Sequence, residues 1–127
     1  MSKDNMNKEE VKDFALEIAE ILDAKKAQDL EVIEISEDSS LADYFVIATG
    51  NSSTQVKALA DEVDYQIKKR HDIEPKYSEG FSSRRWLLLD YIDVVVHIFN
   101  QDARDFYQLD RLWRKEGNLV YSNDDEE

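Results

Sequence analysis

Residues 79–99 read Glu79-Gly80-Phe81-Ser82-Ser83-Arg84-Arg85-Trp86-Leu87-Leu88-Leu89-Asp90-Tyr91-Ile92-Asp93-Val94-Val95-Val96-His97-Ile98-Phe99. Two short apolar runs flank a tight acidic turn, the pattern of a β-hairpin. Neither run alternates cleanly between apolar and polar residues, so both strands are expected to be covered on both faces. Polar groups inside such runs are costly unless they find a hydrogen-bond partner or an exposed position, and Asp90, Asp93 and His97 each carry that requirement.

Upstream of the hairpin, Tyr44-Phe45-Val46-Ile47-Ala48 is a continuous apolar run suited to a central buried strand, ended by Gly50. Ser52 with Gln55 three residues on forms a capping box, and Val56, Leu59, Ala60, Val63 and Ile67 supply the apolar stripe of the helix that follows. Pro75, the sole proline, stops anything helical and opens a short strand through Tyr77. Strand, helix and strand in that order make a crossover unit, right-handed if its strands are parallel neighbours. Further upstream, Asn7 and Glu10 form a variant capping box for a helix from about Lys8 to Lys26, with Val11, Phe14, Ala15, Ile18 and Leu22 at helical spacing. Leu30 to Ile35 then reads as a strand, followed by the polar run Ser36 to Ser40.

Downstream, Asp102 is placed to cap a last helix whose Phe106, Leu109 and Trp113 would face the core, closed by Gly117. Leu119-Val120-Tyr121 is too short to decide between docking and fraying, and Ser122 to Glu127 has no apolar content. The fold class is therefore α/β or α+β: a mixed sheet of about five strands with flanking helices. Residues 1–117 form a single domain and 118–127 a largely disordered acidic tail.

At 127 residues the chain fits one domain with a real core, and the absence of cysteine removes disulfides and thiolate chemistry and agrees with a reducing compartment. The N-terminus lacks the apolar run of a signal peptide, and no segment approaches the ~20 apolar residues of a membrane span, so a cytoplasmic location without membrane contact is expected. Acidic residues outnumber basic ones 29 to 16, a net charge of −13, which argues against naked nucleic acid and favours a basic protein as partner. Simple solubility explains the same charge equally well.

Catalytic motifs are poorly supported. Gly50-Asn51-Ser52-Ser53 lacks the further glycines and the lysine of a phosphate loop, and a plain capped helix is the stronger reading. A Gly-Ser pair opening a helix also occurs in nucleotidyltransferases, but Asp61 and Asp64 lie on the helix itself and Asp90 and Asp93 straddle a turn, with no third carboxylate nearby to hold magnesium. His71 sits in a basic helix end, His97 is better read as a satisfied sheet histidine, and no serine occupies a nucleophile elbow. Neither enzymatic activity, nor a cofactor, nor a metal is expected. Strand alternation places Trp86, Leu88 and Asp90 on one side and Leu87 and Leu89 on the other. An apolar patch edged by an acid suits a basic protein partner, although residue statistics favour Trp86 as plain core.

Taken together, Asp43-Tyr44-Phe45-Val46-Ile47-Ala48-Thr49-Gly50-Asn51-Ser52, Glu79-Gly80, Trp86 to Asp90, Asp93 to Phe99, and Arg104, Tyr107, Leu109, Leu112 and Trp113 resemble the ribosomal silencing factor RsfS family, also called Iojap or YbeB. The resemblance runs over about residues 8–115 and leaves the acidic tail outside. It implies a nucleotidyltransferase-like fold without its active site, and binding to the large ribosomal subunit through ribosomal protein L-fourteen. Small-subunit joining is then sterically blocked and translation falls when nutrients are short. The contact role carries onto Trp86, Leu88 and Asp90, with Glu79, Asp43 and Tyr44 as lesser candidates; Asp43 and Glu79 serve equally well as loop-capping acids. Family members also occur as homodimers, so a second copy is a candidate partner. Two alternatives stay open: an active nucleotidyltransferase, which would bind nucleotide with magnesium, and an acidic adaptor for another basic protein.

Overall fold

Asn7 and Ser52 start the two long helices as their sequences predict. In the computed structural model, which describes residues 6–35, 42–80 and 83–123, helix α1 spans Lys8–Ala24 and helix α2 spans Ser53–His71. The Asn7 side chain accepts from the Glu10 amide at 2.8 Å while the Glu10 carboxylate accepts from the Asn7 amide at 3.0 Å, so two otherwise orphaned donors are satisfied. Ser52 accepts from the Gln55 amide at 3.1 Å, but Gln55 Oε1 takes the Asn51 amide instead of that of Ser52, so only half of the expected capping box forms; α2 ends at Asp72 in the left-handed conformation, three residues before Pro75.

The remaining elements are strands β1 (Gln28–Glu34), β2 (Tyr44–Gly50), β3 (Tyr77–Glu79), β4 (Trp86–Asp90) and β5 (Val94–Asn100), short helices α3 (Gln101–Tyr107) and α4 (Leu109–Trp113), and strand β6 (Leu119–Ser122). They form an α+β fold around one open mixed sheet in the order β3-β4-β5-β2-β1-β6. β2 and β5 are parallel and the other neighbours antiparallel. The polar run 36–40 lies outside the described residues.

The sheet completes the sequence reading in two places. It has six strands where about five are expected, the sixth because Leu119–Ser122 adds to the edge at β1 and carries Val120 and Tyr121 onto the core. Asn123 fastens this end: its side chain accepts from the Leu30 amide at 3.0 Å and donates to the Ala27 carbonyl at 3.0 Å. The disordered tail foreseen from residue 118 is thus ordered through Asn123, while 124–127 lie outside the described residues. The crossover pair β2 and β3 run parallel but are not neighbours, since β4 and β5 lie between them and β5 is the strand beside β2.

Both long helices pack on one face of the sheet. Val11, Phe14, Ile18, Leu22, Val56, Leu59, Val63 and Ile67 meet Val46, Ala48, Leu87, Leu89, Val94, Val96 and Ile98 in one core cluster. The second face carries Ile33, Phe45, Ile47, Val95 and Phe99, over which Ala103, Leu109 and Trp113 of the short helices close.

Here the single last helix is also corrected. Asn100, not Asp102, caps α3, accepting from the Ala103 amide at 2.8 Å, and Gln108 at φ 49° separates α3 from α4. The break ends the helical periodicity that would have turned Phe106 inward, and Phe106 is 76% exposed. Arg104 goes inward instead, donating to the Thr49 hydroxyl at 2.8 Å and to Asp110 at 3.3 Å, which ties α3 to β2 and to the start of α4. Gly117 lies in the turn after α4 rather than capping it.

Candidate functional site

The second face is only partly roofed. α3 and α4 cover its middle, and the strip over β4 and β3 is left open. Register decides which side chains populate that strip: Trp86, Leu88 and Asp90 point away from α1 and α2, and pairing of Tyr77 with Asp90 and of Glu79 with Leu88 brings Tyr77 and Glu79 to the same side. The expectation that both hairpin strands are covered on both faces is therefore corrected for β4, whose residues alternate between half-buried and buried, whereas β5 is buried through Phe99. β4 lies one strand in from the edge, and its only outer neighbour is a three-residue strand with exposed side chains.

Trp86 sits at the centre of an aromatic group. Its indole lies 4.9 Å from the Phe99 ring, directly across the ladder, and 4.7 Å from Tyr107 at the end of α3. Its Nε1–H donates to His97 Nδ1 at 3.2 Å. Tyr107, 44% exposed, and Phe106, 76% exposed, extend this ring group, while Tyr77, 57% exposed, stands opposite Asp90 at the far end of β4, beyond Leu88 and Glu79. Trp86 is thus neither plain core nor free: it is half-buried, with one side on the sheet.

The approach to β4 is set by Gly80. It adopts φ 92°, and a Cβ there would stand 2.0 Å from the Trp86 carbonyl oxygen, so only glycine lets the loop pass so close to the start of the strand. At the other end, the Asp90 carboxylate accepts from the Ile92 amide at 2.7 Å and its carbonyl accepts from the Lys76 amide at 2.7 Å. Asp90 therefore builds the hairpin turn as well as edging the face. Ile92, at the apex, is held at φ 79°, an uncommon conformation for a β-branched residue.

His97 is buried, and burial pushes its imidazole down to about 3, so the ring is neutral. The reading as a satisfied sheet histidine holds at Nδ1 only; Nε2 is buried without a partner. With one nitrogen occupied by the indole and the other sealed, this ring is badly placed for proton transfer to a substrate. The Gly50 loop is occupied by its own helix cap, with Gln55 Oε1 taking the Asn51 amide. Among the described residues no group of three or more His, Asp or Glu side chains could hold a metal ion, and no helix is long and apolar enough to cross a membrane.

The structure thus brings Glu79, Trp86, Leu88 and Asp90 together. Asp43 is exposed at the start of β2, its amide bonded to the Asp93 carbonyl, while Tyr44 is 7% exposed and packs on the helix-covered face. Tyr77 and Phe106 were missed by sequence reasoning. Tyr77 was detectable by extending strand alternation through the short edge strand; Phe106 was not, because its exposure follows from the break at Gln108.

A sequence profile described as "Ribosomal silencing factor during starvation" matches residues 8–127, so the acidic tail left outside the resemblance falls within the family match. The chain is 44% identical over 91 residues to ribosomal silencing factor RsfS of Bacillus subtilis, covering 72% of this chain and 76% of that protein. It is 29% identical over 99 residues to mouse "Mitochondrial assembly of ribosomal large subunit protein 1", covering 76% of this chain and 43% of that one. A crystal structure of a Chromobacterium violaceum protein superposes with a TM-score of 0.74 at 34% identity, covering 94% of this chain and 98% of that chain.

Proposed function

Because the chain belongs to the ribosomal silencing factor family, we propose that it regulates translation at the ribosome by docking on the large subunit through ribosomal protein L-fourteen and excluding the small subunit. The observation that carries this reading is the unroofed strip of sheet centred on Trp86, an apolar ring surface with Glu79 and Asp90 at its margins in a chain of net charge −13. Such a strip fits a basic protein surface: the rings supply desolvated contact area, and the acids steer and orient the encounter. The mouse relative, named for assembly of the ribosomal large subunit, supports that subunit as the partner.

The mechanism is occlusion. No bond is made or broken, and inhibition follows the fraction of large subunits occupied, that is, protein concentration relative to the dissociation constant. Trp86, Leu88, Asp90 and Glu79 are the contact residues, joined by Tyr77, Phe106 and Tyr107; Asp43 is left at the margin, and Tyr44 supports the strand from beneath. The cytoplasm, where subunits join, is the proposed site of action. A second copy of the chain is the competing occupant of the same face, and a homodimer formed there would lower the free concentration.

Subunit joining tests the reading directly. Light scattering of mixed small and large subunits at rising protein concentration is expected to show joining suppressed up to one protein per large subunit. Undiminished joining at saturating protein would reject the occlusion mechanism.

A further inference from the structure

Apolar ring contacts hold an indole in place without direction, whereas a hydrogen bond to its Nε1–H fixes which edge faces which neighbour. Trp86 touches Phe99 and Tyr107 in this way, its ring tilted 33° and 48° to theirs. The directional bond of the indole runs from its Nε1–H to His97 Nδ1 at 3.2 Å. That acceptor arises from β5, diagonal to Trp86 across the ladder, since Trp86 pairs with Phe99 and His97 with Leu88.

The imidazole is itself an expensive choice for this position. It is 5% exposed, with Phe45 at 4.7 Å as its nearest ring, and if Nδ1 accepts, the neutral ring must carry its proton on Nε2. Nε2 is buried and has no hydrogen-bond partner. A phenylalanine or leucine would fill the same site without the cost of burying an unpaired polar nitrogen. What histidine offers and those residues lack is the acceptor at the δ position.

We propose that His97 is a positioning residue for docking: its Nδ1 selects the Trp86 rotamer whose outer edge is presented to the partner. This inference rests on the reading of the Trp86 strip as the docking face and names the group that pre-organises it. Inversion of the indole would orphan both Nε1–H and Nδ1, so the free protein holds the binding-competent arrangement before the partner arrives, and the ordering cost of the anchor is reduced.

The test uses full-length protein labelled with nitrogen-15. In the wild type, His97 is expected as the tautomer protonated at Nε2 with an unprotonated, acceptor Nδ1, and the Trp86 indole N–H, identified by its absence in Trp86→Phe, is expected to exchange slowly with solvent. A His97 ring protonated at Nδ1 would overturn the proposal without any variant. His97→Phe keeps the ring and removes the acceptor, and is expected to fold, lose the Trp86 N–H protection and bind large subunits about tenfold more weakly. His97→Asn, which restores an acceptor at the δ position, is expected to recover protection and part of the affinity. His97→Phe with wild-type affinity, in a protein that Trp86→Ala weakens about thirtyfold, would overturn the positioning role alone. Failure of the wild type to bind large subunits would instead overturn the docking reading on which it rests.

Discussion

Replacing His97 by phenylalanine should change how stability responds to pH, by an amount that burial sets. In the folded protein the ring is held neutral, its pKa pushed from the ordinary 6.5 down to about 3 by burial among Phe45, Trp86 and Phe99, none of which carries a charge. In the unfolded chain the same ring protonates as the pH falls below about 6.5. The unfolded state therefore binds the extra proton between these values, and stability conferred by the neutral ring is complete above 6.5 and declines as the pH falls. Each pH unit in the window is worth about 1.4 kcal/mol, so going from pH 7.5 to pH 5 costs the wild type about 2 kcal/mol through this residue. His97→Phe loses that contribution to the slope, and its lost indole hydrogen bond shifts stability by an amount that does not vary with pH over this range. Urea unfolding of both proteins at the two pH values measures the difference, expected as roughly 1 M less acid-induced displacement of the midpoint in the variant. Identical displacement in wild type and variant would refute the placement of His97 as a buried neutral ring.

Gly80→Ala puts a Cβ against the Trp86 carbonyl at a positive φ and should destabilise by at least about 2 kcal/mol, measured by urea unfolding. Arg104→Met removes the bonds to Thr49 and Asp110, leaving the fully buried Thr49 hydroxyl unmatched, and should cost about 2 kcal/mol in the same assay; an unchanged midpoint would show that Arg104 does not tie α3 to the sheet. Ile92→Asn relieves the left-handed backbone at the hairpin apex and should raise stability by about 1 kcal/mol, read as a higher thermal midpoint.

The long elements were legible because each obeyed a local rule. Asn7 with Glu10 and Ser52 with Gln55 capped the helices they announce, and the run from Tyr44 was buried throughout. The sheet partners were not legible, because pairing between β2 and β5 joins residues about fifty positions apart and leaves no mark in either segment. β6 escaped because its apolar run is short and its anchor, Asn123, reaches back to Leu30 and Ala27. The break at Gln108 escaped because a left-handed glutamine carries no compositional signal, and with it went the direction of Phe106. For the site, alternation alone put Trp86, Leu88 and Asp90 on one side; that this side is left unroofed depends on where α3 and α4 stop, a tertiary fact. Tyr44, drawn in by the resemblance, lies on the other face because it is one residue out of phase with Phe45.

Co-sedimentation of wild type and Trp86→Ala with separated large and small ribosomal subunits tests the central claim most directly. The wild type should sediment with large subunits at one copy each and leave small subunits bare, while Trp86→Ala, folded by its thermal transition, should bind more weakly by about 2 kcal/mol, roughly thirtyfold in dissociation constant. A folded Trp86→Ala that binds large subunits as tightly as the wild type would contradict the account, because the unroofed strip would then not be the docking face.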